Sequence, residues 1–190
     1  PDFIRQQNTS LIPLSFADCI NSTLPSLDNW MGELSCATFD GRALAATLKG
    51  KLLSLPYYGI NDLGIFLEMA AAHPVYYLNQ TLGAFRLNRW QTSRDLHSSI
   101  FQATNLAWAA LIFDAHQIGA LSTSAANDGL LKLKKSLAFM QQQAPHLQGA
   151  LDALALLPEI PDCRQAFMNY WQHFLASQAD YWQAKLHSLS

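Results

Sequence analysis

The stretch Ser93–Gly119, SRDLHSSIFQATNLAWAALIFDAHQIG, decides the fold class of this 190-residue chain. Its apolar residues recur every three or four positions, which is the period of an amphipathic α-helix. The members of this stripe are Ile100, Phe101, Thr104, Ala107, Trp108, Leu111, Ile112, Ala115 and Ile118. We therefore predict a long helix over about residues 93–118, ended by Gly119.

A second long helix is predicted over about residues 162–188, with Asp162 as its N-terminal cap. Its apolar stripe is rich in aromatic side chains, namely Phe167, Tyr170, Trp171, Phe174, Tyr181 and Trp182. Such a stripe is typical of a core seam, because each large ring buries much apolar area. The alternative is that its C-terminal end, Tyr181 and Trp182, projects beyond the domain and contacts a partner.

Proline, glycine and capping residues divide the rest of the chain into shorter helices. Ser15 and Asp40 each precede an apolar stripe at helical spacing and are predicted N-caps. Pro74 is predicted to occupy the first turn of a helix that ends near Trp90. After a small polar connector, Asp128 is predicted to cap another helix. No β-strand alternation stands out.

These elements predict an all-α fold, a single-domain irregular helical bundle of about seven or eight helices. The two long helices, at about 93–118 and 162–188, form its spine. Residues 1–13 are predicted to be an extended N-terminal arm and residues 14–190 one helical domain. Residues 119–129 are the candidate hinge.

Charged residues are scarce, with 12 basic and 14 acidic side chains making up 14% of the chain. An ordinary soluble domain carries about 25%. The net charge of −2 offers little attraction to nucleic acid or anionic lipid. The longest apolar run, Leu106–Phe113, is too short to span a bilayer. We therefore expect no nucleic-acid partner and no membrane insertion.

Cysteine usage and the N-terminal residues favour a cytoplasmic location. Three cysteines, Cys19, Cys36 and Cys163, are too few for a disulfide scaffold and are expected to be reduced and at least half-buried. A disulfide between Cys19 and Cys36 remains the alternative in an oxidising compartment. Residues Pro1–Arg5 lack the pattern of a signal peptide.

No arrangement of residues points to catalysis, to a metal or to a cofactor. The sequence lacks His-Glu-x-x-His, Cys-x-x-Cys, a glycine-rich phosphate loop and Gly-x-Ser-x-Gly. Asp114 and His116 stand two residues apart, so a helix would place them on different faces. The six histidines, His73, His97, His116, His146, His173 and His187, are scattered singly. We expect no catalytic residues, no metal and no cofactor.

Two groups of residues are candidate partner-binding surfaces. Tyrosine, arginine and tryptophan are enriched among the residues that dominate the energy of protein interfaces. The candidates are Tyr57, Tyr58, Tyr77, Arg86, Arg89 and Trp90, together with Tyr181 and Trp182. Two neighbouring pairs, Tyr57-Tyr58 and Tyr76-Tyr77, are each expected to have at least one partly exposed member. The only dense basic cluster, Lys132, Lys134 and Lys135, is expected to be a solvated helix side.

A weakly charged helical domain rich in alanine and leucine favours an adaptor or chaperone-like function. Part of its apolar surface is expected to be covered by a helical or extended segment of a larger protein. In overall character the chain is similar to the small, mildly acidic, helical adaptors and chaperones of bacterial secretion systems, although no motif identifies a family.

Two other functions remain open. One is a binding protein or enzyme with an apolar interior pocket for a lipid, terpenoid or tetrapyrrole, lined by Trp108, Phe101, Phe174 and Met140 with His116 or His173 at the ligand. The other is a structural subunit of a homo-oligomer. A copurifying small molecule would distinguish the first from the adaptor, and a concentration-dependent mass would distinguish the second.

Overall fold

A computed structural model describes residues 1–5, 9–32, 37–47, 59–80 and 99–187 of the chain; for residues 3, 5, 99, 100 and 178–187 it describes the backbone alone. Residues 1–133 and residues 134–190 form two compact units, and the division falls inside a helix. The division into an N-terminal arm (residues 1–13) and one domain (residues 14–190), with a hinge at 119–129, stays a prediction, but Asp2–Arg5 in that arm are helical and not extended.

The all-α fold class is confirmed: over the described residues, the chain is built of helices and one small two-stranded sheet. The elements in chain order are α1 (Asp2–Arg5), β1 (Leu11–Leu14), α2 (Phe16–Thr23), α3 (Gly41–Thr47), α4 (Asn61–Ala72), β2 (Val75–Leu78), α5 (Ser99–Gln117), α6 (Thr123–Gln141), a 3-10 turn (Pro145–Leu147), α7 (Gln148–Leu154) and α8 (Ile160–His187).

The long helix α5 is buried on all sides, rather than on one stripe, over its central and C-terminal turns. Every residue from Leu106 to Ala115 is buried. Alanines alternate with large apolar residues here, so neighbouring segments can approach the helix from every direction. The predicted stripe member Ile118 is an exception, because it lies beyond the helix end and is 46% exposed.

Two predicted N-caps are confirmed in the first unit. The Ser15 hydroxyl accepts a hydrogen bond from the Asp18 N–H (3.1 Å), and the Asp18 carboxylate accepts one from the Ser15 N–H (2.9 Å), which together form a capping box on α2. The Asp40 carboxylate accepts hydrogen bonds from the N–H groups of Arg42 and Ala43. These backbone donors lower the pKa of Asp40 because they stabilise its charged form.

Three predictions of local structure are wrong. Asp162 is not the N-cap of α8, because that helix begins at Ile160 and Asp162 lies in its first turn. Residues 75–78 form a strand instead of the first turn of a helix, because His73 enters Pro74 in an extended conformation and β-branched and aromatic residues follow. The helix predicted to begin at Asp128 begins at Thr123. The Ser122 hydroxyl caps it by accepting a hydrogen bond from the Ala125 N–H (3.2 Å), and alanines support its first turns.

α6 packs closely on the C-terminal end of α2. A Cβ atom on Gly129 would lie 2.9 Å from the Leu24 carbonyl oxygen and 2.9 Å from Ile112 Cδ1. One turn later, Lys132 Nζ donates a hydrogen bond to the Pro25 carbonyl oxygen (2.6 Å). Lys132 is exposed, as predicted for the basic cluster, but this hydrogen bond fixes the position of its amino group.

The core of the second unit is aromatic. Phe167, Trp171 and Phe174 on α8 are buried, and the rings of Trp171 and Phe174 stack with centroids 5.7 Å apart. The Tyr170 hydroxyl donates a hydrogen bond to the His146 carbonyl oxygen (3.0 Å). The Tyr170 ring lies so close to Gly149 that a Cβ atom at position 149 would be 2.6 Å from Tyr170 Cδ2. The core-seam interpretation is confirmed for this part of the aromatic stripe.

Candidate functional site

The two-stranded sheet in the first unit has one buried and one exposed face. β1 and β2 run antiparallel, with Leu11 opposite Leu78 and Pro13 opposite Tyr76. Side chains alternate between the two faces of a strand, so these four residues share one side. Leu11 is 53% exposed, Tyr76 58% and Leu78 41%, and Pro13 is also exposed. We call Leu11, Pro13, Tyr76 and Leu78 the outer sheet face.

The opposite side of the sheet is attached to the core. Ile12 and Leu14 on β1 are buried, and Val75 and Tyr77 on β2 are half-buried. A strand whose inner residues are buried has a well-defined register, because a slip of one residue would expose them. The side chains of the outer sheet face are therefore presented in a defined order.

Trp30 connects the sheet to α2. Its ring meets that of Tyr77 edge to face, with centroids 5.9 Å apart and planes at 61°. Its indole N–H donates a hydrogen bond to the Ser22 hydroxyl (3.0 Å) on α2. An edge-to-face aromatic pair contributes about 0.5–1.5 kcal/mol beyond area burial. This contact holds β2 in place beneath the outer sheet face.

The hydrogen-bond pattern brings the outer side chains together. The Asn79 N–H donates to the Ser10 carbonyl oxygen (2.9 Å), which continues the register of the sheet by one pair. Antiparallel pairs alternate between hydrogen-bonded and non-hydrogen-bonded, so Leu11–Leu78 and Pro13–Tyr76 are non-hydrogen-bonded pairs. Such pairs bring opposing side chains closest. The outer sheet face is thus a continuous apolar patch.

This patch carries no charge of its own. The strands read LIPL and VYYL, and the residues next to them, Ser10, Asn79 and Gln80, are polar and uncharged. Apolar contact, and not ion pairing, is therefore the chemistry available for binding on the outer sheet face.

The structure describes only part of the predicted partner-binding set. Tyr77 faces inward onto Trp30, whereas its neighbour Tyr76 is exposed, as the adjacent-tyrosine argument predicts for one member of the pair. Tyr181 and Trp182 lie on α8, where the backbone alone is described. The remaining candidates lie outside the described residues: Tyr57, Tyr58, Arg86, Arg89 and Trp90. Binding by any member of the set stays a prediction.

Sequence reasoning missed Leu11, Pro13 and Leu78. Each strand has four residues, which is too short for alternation to be recognised, and the partners are about sixty residues apart in sequence. One sequence signal does favour a strand here: VYYL, residues Val75–Leu78, combines β-branched and aromatic residues directly after Pro74.

Three of the scattered histidines, His116, His146 and His173, each contact a group of the surrounding fold. His116 Nε2 lies 3.2 Å from the Thr123 hydroxyl. His173 Nδ1 lies 2.7 Å from the Asn169 carbonyl oxygen, which can only accept, so Nδ1 carries a proton. The His146 ring stacks on Phe174 with centroids 6.0 Å apart, and its partial burial lowers the pKa of His146. Across residues 1–187, wherever the structure gives side chains, no three His, Cys, Asp or Glu residues come together as metal ligands would.

Two of the three cysteines are buried free thiols. Burial raises the pKa of both Cys19 and Cys163 to about 11. Because the thiolate is the nucleophile, these groups are unreactive at neutral pH. Cys36 lies outside the described residues, so its state stays untested.

The side chains expected to line a ligand pocket belong to the cores of different units. Trp108 is buried in the first unit, where Phe101 is half-buried. Met140 and Phe174 are buried in the second. Binding of a small molecule by these side chains stays a prediction.

Among the helices that the structure covers, none combines the length and the apolar character needed to cross a bilayer. No family model, no curated protein and no solved structure matches the chain.

Proposed function

We propose that this chain is a non-enzymatic adaptor or chaperone-like subunit that binds an apolar segment of a larger protein at the outer sheet face. The observation that carries the proposal is the exposure of Leu11, Tyr76 and Leu78 side by side on a sheet whose other side is buried. Exposed apolar side chains that are held together on an ordered element are characteristic of interaction sites.

The energy available from this patch fits a segment better than a large interface. Burying a large apolar side chain completely stabilises a complex by about 1.5–3 kcal/mol. The three side chains are about half exposed, so their burial contributes roughly 2–4.5 kcal/mol in total. Even the upper part of that range corresponds to a Kd of only about 1 mM. A partner segment therefore has to make further contacts beyond these side chains.

The low charge of the chain supports the same proposal. A surface with few charges does little to repel other chains. The setting we propose is a multiprotein complex in the cytoplasm, such as the accessory machinery of bacterial secretion, where the partner is a helical or extended segment of another subunit.

The test compares partner capture by the wild-type chain and by matched surface variants. Tyr76→Ser and Leu78→Ser each remove an apolar side chain from the outer sheet face. Leu131→Ser is the control, because Leu131 is 46% exposed in the same unit but lies on α6. Affinity capture from the organism that encodes the chain, followed by quantitative mass spectrometry, measures the bound protein.

We expect one stoichiometric protein partner, retained at high salt by wild type and by Leu131→Ser. Loss of one large apolar contact is expected to lower its recovery at least fivefold in Tyr76→Ser and Leu78→Ser. Equal recovery of the partner with all three variants would show that the outer sheet face does not bind it. A small molecule that copurifies in place of a protein would favour the pocket alternative.

A further inference from the structure

The two edges of the sheet differ in their capacity to pair with another strand. In the non-hydrogen-bonded pairs Leu11–Leu78 and Pro13–Tyr76, the backbone groups point away from the partner strand. Tyr76 therefore directs its N–H and C=O, and Leu78 its N–H, to the outer edge of β2. The Leu78 carbonyl oxygen already accepts a hydrogen bond from the Gln80 N–H (2.8 Å).

Proline makes the other edge unsuitable. Pro13 has no N–H, and it lies at a position where the backbone of β1 faces outward. Proline at such a position is a common device that prevents a strand edge from pairing. Within the described ranges, the sheet consists of β1 and β2 alone. Of the two strand edges, the outer edge of β2 therefore offers successive backbone N–H donors, those of Tyr76 and Leu78.

We propose that the partner segment binds in an extended conformation as a third strand along the outer edge of β2. Its backbone pairs with Tyr76 and Leu78, and every second side chain lies beside these residues on the outer sheet face. This inference rests on the proposed function and specifies the conformation and position of the bound segment.

The size of the patch argues against a second copy of the chain as the occupant. The exposed parts of one tyrosine, two leucines and one proline amount to on the order of 300 Å². A stable interface between folded proteins needs about 800 Å² on each side. A short extended segment needs less area, because directional backbone hydrogen bonds supplement its apolar contacts.

The probe for the test is a peptide selected by panning a random heptapeptide phage library on the immobilised full-length chain. Its affinity is measured by fluorescence anisotropy for wild type and four variants. Tyr76→Pro removes an outward N–H without removing a hydrogen bond of the existing ladder, and Tyr76→Ala controls for the lost side chain. Leu11→Pro and Leu11→Ala form the matched pair on the β1 edge.

We expect Tyr76→Pro to bind about tenfold more weakly than Tyr76→Ala, because one backbone hydrogen bond is lost and the proline ring obstructs the edge. Leu11→Pro and Leu11→Ala are expected to bind equally. Equal affinities of Tyr76→Pro and Tyr76→Ala would overturn the proposal. Circular dichroism spectra establish that each variant is folded.

An N-methyl scan of the peptide tests the same point without altering the protein. A segment bound as an edge strand loses binding when every second N–H is methylated and tolerates methylation between those positions. Loss at every interior position indicates a bound helix and overturns the inference. If that helical peptide still loses affinity with Leu78→Ser, the proposed function stands. Undiminished binding to both Tyr76→Ala and Leu78→Ser refutes the proposed function as well.

Discussion

Replacement of Gly129 by alanine tests the close packing of α6 on the end of α2. The new Cβ would lie 2.9 Å from the Leu24 carbonyl oxygen and 2.9 Å from Ile112 Cδ1. The end of the Ile112 side chain could rotate away, but the Leu24 backbone oxygen cannot move without shifting the end of α2. Overpacking of this kind costs about 1–3 kcal/mol.

The gain in helix propensity opposes this cost. Alanine is more favourable than glycine inside a helix by about 1 kcal/mol. Because one of the two close atoms is a backbone oxygen, the steric cost lies in the upper part of its range, at about 2–3 kcal/mol. We therefore expect Gly129→Ala to lower the free energy of unfolding by about 1–2 kcal/mol. For a chain of this length, that change corresponds to a melting temperature lower by about 2–8 °C.

Gly41→Ala is the matched control. Gly41 begins α3, and nothing lies within 4 Å of the Cβ that alanine would add. The same substitution is expected to leave the free energy of unfolding unchanged or raise it by up to about 1 kcal/mol. Gly129→Ala should therefore be less stable than wild type, and Gly41→Ala should be at least as stable as wild type.

The assay is urea unfolding followed by far-ultraviolet circular dichroism, with hydrogen exchange of peptides from α2 and α5 to locate the change. Local exchange separates the first unit from the second, which matters because two units can unfold in separate transitions. If Gly129→Ala is as stable as wild type while Gly41→Ala behaves as expected, α6 does not approach the Leu24 carbonyl oxygen closely enough for a Cβ at position 129 to collide with it.

Two further predictions concern the helix cap and the buried thiols. Ser15→Ala removes the capping box with Asp18 and is expected to lower the free energy of unfolding, measured by urea titration, by about 1 kcal/mol. Ser15→Thr keeps a hydroxyl at the cap and is expected to retain most of the wild-type stability. If the alanine variant were as stable as wild type, the cap would contribute nothing. In a Cys36→Ser background, Cys19 and Cys163 are expected to react with Ellman's reagent at pH 8 only after unfolding, and rapid reaction of the native chain would show that they are accessible. Because burial raises the pKa of both thiols from 9.0 to about 11, the folded state holds their protons more tightly than the unfolded state. Their contribution to stability is therefore complete below pH 9 and declines as the pH rises towards 11, which unfolding titrations at several pH values would measure.

The helices could be predicted because their determinants are local. The Ser15 and Asp40 caps depend on groups two or three residues away, and both are confirmed. The spacing in α5 and α8 persists over several turns, so it is distinguishable from chance. Their observed bounds, Ser99–Gln117 and Ile160–His187, lie within the predicted ranges or close to them. Local rules failed at α6, where the small residues after Thr123 favour helix and connector almost equally.

The candidate site could not be predicted in the same way. A four-residue strand has too few residues for its alternation to be recognised, and its conformation depends on a partner that is distant in sequence. The sequence pointed to Tyr76 and Tyr77 as a pair with one exposed member, but it could not say which. That choice depends on the register with β1 and on the contact of Tyr77 with Trp30.

By itself, the sequence determined the helical class, the two long helices, the Ser15 and Asp40 caps and the low charge, because periodicity, capping and composition act over a few residues at a time. Only the tertiary structure decided that α5 is buried on every side, that Val75–Leu78 is a strand, and that Leu11, Pro13, Tyr76 and Leu78 share one exposed face. The physical reason is that burial and strand register are properties of segments far apart in the chain that pack against each other.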